Sequence, residues 1–178
     1  MAWSAPMTAV SGSVFTAAQF NQFVRDNLNE TAPARATTAG AHFVATGTNE
    51  IAERISQQGS VLTTAETTTS TSYTDLTTAG PAVTVETGPS AMVIVHASLE
   101  NSGAGSTRMA YEITGDSSIA PADNRGIGVF GVAGAGVICS SVSIHKDLTP
   151  GTNTFTAKYR VSSGTGSFSS RRLGVFPL

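Results

Sequence analysis

From about residue 81 to the end, apolar and polar positions alternate with a period of two. AMVIVHASL sets Ala91, Val93, Val95, Ala97 and Leu99 on one face. TFTAKYRV does the same with Phe155, Ala157, Tyr159 and Val161, leaving Thr154, Thr156, Lys158 and Arg160 for the other side. Met109, Tyr111 and Ile113 alternate with Arg108, Ala110 and Glu112, and VICSSVSI and RRLGVFPL add two further runs. Successive side chains of a strand point to opposite faces, so each run predicts a half-buried strand. Turn-forming clusters separate them: TGPS, NSGAGS, TGDSS, TPGTN and SSGTGS. Short strands about ten residues apart predict a mainly β fold, an antiparallel, jelly-roll-like β-sandwich.

The period changes once, near the front. In VFTAAQFNQFVRDNLNE, Phe20, Phe23, Val24 and Leu28 recur at helical spacing, with Asn21, Gln22, Arg25, Asp26 and Asn29 on the opposite face. Thr16 and Gln19 have the spacing of a capping box, in which hydroxyl and amide satisfy each other's exposed N–H groups. Phe15 and Phe20 stand at the hydrophobic-staple positions around that cap. With Pro33 as the stop, the helix runs about 14 residues, roughly 20 Å. A helix so short is marginal alone in water, so its stripe must be covered by its own domain or by copies of itself.

These periods divide the chain into three zones. Residues 1–33 form an arm containing Trp3 and Pro6, followed by the amphipathic helix. Residues 34–80 hold two brief apolar runs, HFVATG and NEIAERI, and then a stretch with nine Thr between positions 63 and 78. β-branched residues with little charge suit extended chain or edge strands, so this zone reads as a shaft-like connector. Residues 81–178 are the sandwich.

Composition narrows the functional classes. Charged residues make up 12% of the 178 and the net charge is −2, which leaves no electrostatic footprint for nucleic acid. The one basic cluster, Arg171-Arg172, reads as solvated. No apolar run approaches the ~20 residues of a membrane span, and MAWSAPMTAV lacks the regions of a signal peptide. A soluble chain made in the cytoplasm is expected. Cys139, the only cysteine, lies in an apolar run and reads as a small buried hydrophobe.

Candidate chemistry is thin. GIGVFG (126–131) matches the dinucleotide fingerprint, with Asp147 about twenty residues on. That chemistry needs a helix after the loop to hold the pyrophosphate, and more strand and glycine follow here. Glycines at a tight bend or close subunit contact are the expectation instead. GDSS (115–118) offers a serine, but His42, His96 and His145 are scattered without a partner pattern, so no acid–base pair is assigned. No histidine pair has zinc spacing and no loop has the carboxylates of a calcium site, so neither catalytic residue, cofactor nor metal is expected.

The front end, AWSAPMTAVSGSVFTAAQFNQFVRDNLNET, resembles an N-terminal module of tailed-bacteriophage structural proteins, especially phages of actinobacteria. Trp3, Pro6, Val10, Gly12, Thr16, Ala17, Asn21, Arg25, Asp26, Asn27 and Leu28 fit that pattern. AGAHFVATGTNEIAERI looks like a strand–turn–strand segment of phage fibres, although His42 stands where an acidic residue is commoner. TPGTNTFTAKYRVSSGTGSFSSRRLGVFPL is similar to the last strands of trimeric jelly-roll modules on virions. The resemblance implies a non-enzymatic virion protein, assembled in the host cytoplasm, whose partners are its own copies in a homotrimer and the major capsid protein or tail proteins. Trp3, Phe15, Phe20, Phe23, Val24 and Leu28 are the expected docking residues. A short chain without a long shaft favours head decoration. The alternative is a minor tail or fibre protein that binds a host-surface glycan through the loops near 101–106, 115–126 and 162–167.

Overall fold

The computed structural model describes residues 3–131 and 133–178. Met1 and Ala2 of the expected arm, and Val132 in the glycine-rich run, lie outside the described residues. The chain divides into two units, Met1–Ile55 and Ser56–Leu178.

In the first unit Thr16 caps α1 (Ala17–Phe20), which continues through a π-helical turn (Asn21–Arg25) into α2 (Asp26–Asn29). The capping box forms as expected. The Thr16 hydroxyl accepts the Gln19 N–H at 3.2 Å, and Gln19 Oε1 accepts the Thr16 N–H at 2.9 Å. The staple forms too, with the Phe15 and Phe20 rings edge to face at 6.1 Å. The stop differs from expectation. The helix ends at Asn29, and Pro33 sits inside α3 (Ala32–Arg35), a single further turn. A proline fits the first turn of a helix because its missing N–H would have no intrahelical partner there. β1 (His42–Gly47) and β2 (Glu50–Arg54) then form an antiparallel hairpin, with Asn49 at a φ of 57° in its turn. The Glu53 carboxylate accepts N–H groups from Thr37 and Thr38 and the Thr37 hydroxyl, which hold it below the usual carboxylate range.

The second unit is the β-sandwich. Its strands are β3 (Gln57–Gln58), β4 (Glu66–Thr68), β5 (Ala82–Thr87), β6 (Ala91–Asn101), β7 (Ser106–Gly115), β8 (Gly126–Phe130), β9 (Val137–His145), β10 (Gly151–Val161) and β11 (Gly166–Pro177). One antiparallel sheet has the order β5-β10-β7-β8. The other is β3-β11-β6-β9, with β4 also paired to β11. The expected alternation carries the core between them. Ala91, Val93, Val95, Ala97 and Leu99 face Met109, Tyr111, Ile113, Phe155, Ala157 and Tyr159, and all are essentially inaccessible to solvent. Two buried asparagines lock strand ends. Asn153 accepts the Ser117 N–H at 2.7 Å and donates to Thr87 Oγ1 at 2.7 Å, while Asn101 donates to Thr107 Oγ1 at 3.0 Å.

Three expectations are corrected here. The zone over 34–80 is no separate connector. Its hairpin belongs to the first unit, and its threonine-rich half lays β3 and β4 along β11 in the second. Arg171 is not solvated but wholly buried. A bulge sets Ser170 (φ 51°) and Arg171 opposite one residue of β6, and the extra residue turns Arg171 inward. Cys139 is only partly buried, packed against the rim of the core. GIGVFG makes its close glycine contact within the chain. It forms β8, and a Cβ on Gly126 would stand 2.2 Å from the Met109 carbonyl oxygen.

Candidate assembly site

Among the described residues of the first unit only Asn27 is buried, at 4% exposure, and no apolar side chain of that unit is. Asn27 acts as a clamp. Its Oδ1 accepts the Ser4 N–H at 2.9 Å, and its Nδ2 donates to the carbonyls of Ser4 at 3.0 Å and Phe23 at 3.1 Å. The arm is thereby tied to the helix through backbone groups that any residue but proline at position 4 would supply. Trp3 adds an N–H donated to the Asn49 carbonyl at 3.3 Å, and its side chain borders a shallow cleft with Glu30, Ala45 and Ile51.

The expected docking residues differ in exposure. Phe15 and Phe20 stand together, 52% and 48% exposed, whereas Phe23 and Val24 are partly buried and Leu28 is 59% exposed. The π-helical turn inserts the equivalent of one residue between Phe20 and Leu28, so at about 100° per residue Leu28 stands roughly 20° from Phe20 instead of the ~80° of an ideal helix. Val10 and Val14, which no helical period could flag, add to the exposed apolar surface of the arm. Asn27 was also invisible to a pattern that assigns asparagine to the polar face.

The residues weighed for catalysis have structural partners. The Ser117 hydroxyl accepts the Thr149 N–H at 2.9 Å. His145 Nε2 lies 2.7 Å from the Tyr111 hydroxyl, and burial, aided by the Arg125 charge, lowers the His145 pKa. His96 Nδ1 lies 2.8 Å from Ser140 Oγ on the opposite face of its sheet from the core, and His42 is in β1. Among the described residues no three His, Cys, Asp or Glu side chains cluster as metal ligands would.

Of the three loops considered for a ligand, 101–106 and 162–167 meet. Ser102 N–H donates to the Thr165 carbonyl and Thr165 N–H to Ser102 Oγ, both at 3.0 Å. The segment 115–126 instead starts beside the far end of β10 and is tied along the sheet. Ile119 bridges to Ile113, and the Asp123 carboxylate meets Arg160, Arg108 and the Tyr73 hydroxyl. Those contacts hold the Asp123 pKa down, with the Arg160 hydrogen bond the largest cause.

No protein-family model matches the chain, and no curated protein has a similar sequence. Among solved structures, it is similar to a carbohydrate-binding module (CBM6cm-2) of Cellvibrio mixtus lichenase 5A, solved in complex with cellotriose. That likeness has 12% identity over 83% of this chain and 94% of the module, at a TM-score of 0.32. A likeness that loose carries no weight for function.

Proposed function

We propose that this chain is a non-enzymatic structural protein of a tailed-phage virion. It assembles as a homotrimer through its first unit and decorates the capsid exterior with its sandwich. The observation that carries the reading is a unit with a capped, stapled helix and, among its described residues, no buried apolar side chain. Such a unit is completed by sister chains or by the particle beneath. The front-end resemblance to phage virion modules supplies the setting. A decoration protein of this kind acts mechanically, by burying area across the joints between capsid subunits.

Magnitudes bear on how much the helix can do. Full burial of a Phe or Leu side chain contributes about 1.5–3 kcal/mol, and Phe15, Phe20 and Leu28 each have roughly half of that left to gain. Nine such side chains in a trimer give on the order of 10 kcal/mol, against about 4–15 kcal/mol lost in each association step. The helix therefore directs assembly but needs a further contact to hold it.

A tail-fibre reading, in which the sandwich binds a host-surface glycan, draws on the meeting of the 101–106 and 162–167 loops. Neither loop contains an aromatic residue on which a sugar ring could stack, which favours decoration.

Native mass spectrometry at micromolar concentration tests the assembly. The wild type is expected as a trimer, and Phe20→Asp/Phe23→Asp as a monomer with an intact β circular-dichroism signal. A wild type seen only as monomer refutes the trimer. Copy number per virion separates head, with hundreds of copies, from tail, with a few dozen at most.

A further inference from the structure

Strand β9 faces the wrong way for a solvated edge. Cys139, Ser141, Ser143 and His145 turn toward the core side, while Ile138, Val142 and Ile144 turn to solvent at 72%, 58% and 61% exposure. A shift of one residue would exchange the two sets, so a strand meant for water would take the other register. Pairing with β6 holds the observed one, with Val142 opposite Ile94 and Ile144 opposite Met92. Phe176 of β11 lies opposite Met92 on the other side and extends the same apolar band. β9 also ends its sheet, and an apolar edge strand left open is an invitation to association.

Charge and area say what covers this face. Among its outward residues on β6, β9 and β11, Glu100 and Arg172 supply one charge of each sign, so copies of the face do not repel. Three strands spaced ~4.8 Å apart and about nine residues long present on the order of 450 Å². A stable contact buries about 800 Å² per partner, so neither this face nor the short helix suffices alone. A sister chain brings both surfaces at once, and the second contact then forms within one complex at high effective concentration. We infer that the outward face of the β11-β6-β9 sheet is a second self-association surface, turned with its sister copies toward a common three-fold axis. This rests on the homotrimer reading and adds the contact that the helix lacks.

The test compares full-length chains by sedimentation across the micromolar range. Val142→Lys should raise the dissociation concentration about tenfold or more, and Val142→Ser should raise it less, in the same direction. Both should leave the circular-dichroism spectrum of the sandwich unchanged. Hydrogen exchange across 137–145 should slow as the wild type is concentrated. Unshifted dissociation in both Val142 variants, with Phe20→Asp/Phe23→Asp dissociated, overturns this inference and spares the helix. Loss of assembly in Val142→Lys with the helix variant still trimeric supports the face and overturns the helix. A monomeric wild type with concentration-independent exchange overturns both.

Discussion

Arg171 is the largest fully buried side chain of the sandwich, and its removal tests whether the bulge that turns it inward is structural. Its Nη1 lies 3.4 Å from Glu66 Oε2 and 3.4 Å from the Thr78 carbonyl, and the guanidinium sits 5.5 Å over the Tyr159 ring. Its Nε has no hydrogen-bond partner among the described residues. Arg171→Met keeps most of the volume but leaves the partly exposed Glu66 without its cation. Breaking a buried pair from one side costs about 3–5 kcal/mol. The lower end applies here, because Glu66 is partly exposed and still accepts the Thr78 N–H at 3.0 Å. A loss of about 3 kcal/mol is expected. At about 4 °C per kcal/mol for a unit of this size, Tm should fall by about 12 °C. Urea and thermal melts of the full chain read this directly, since the described residues of the first unit include no buried apolar side chain to give a transition of its own. Arg171→Met/Glu66→Gln should recover at least half of the loss, because the stranded charge goes with it. A single variant within about 0.5 kcal/mol of wild type would refute the account, and the bulge would then be incidental.

Two further predictions concern the clamp and the buried imidazole. Asn27→Ala removes three hydrogen bonds, at about 0.5–1.5 kcal/mol each, so the Ser4 amide should exchange at least tenfold faster while the sandwich amides do not change. Unchanged exchange at Ser4 would mean that the arm is held by something other than the clamp. Burial, the largest cause, and the Arg125 charge depress the His145 pKa below its unfolded value, so the unfolded chain binds the proton first. Stability from this group is fully present above the unfolded value, near 6.5, and falls as pH drops through the lower folded value. The urea midpoint should therefore decline on acidification from neutrality, and by less in His145→Gln. An equal decline in both would remove His145 as the cause.

The sandwich was legible because its signal is local and repeated. Five alternate residues from Ala91 to Leu99 and four from Phe155 to Val161 point to one side whatever their neighbours do, and all nine are buried. The cap at Thr16 was legible for the same reason, since both its partners lie within four residues. What escaped the sequence depends on distant chain. A period-two pattern in VICSSVSI defines two faces but not which one turns inward, and pairing with β6 decides that. The bulge in β11 shifts the parity of the strand at Ser170, so Arg171 takes a core position that its chemistry would forbid without Glu66. The π-helical turn likewise changes the angular spacing from Phe20 to Leu28, which a strict 3.6-residue period does not foresee. Two of these departures share a direction. The helix and β9 both leave branched or aromatic side chains facing water, and in β9 a single-residue shift in register would have hidden them. Violations of local preference are expected where function claims the surface. Their recurrence in both units of the chain supports the proposal that its own copies complete it.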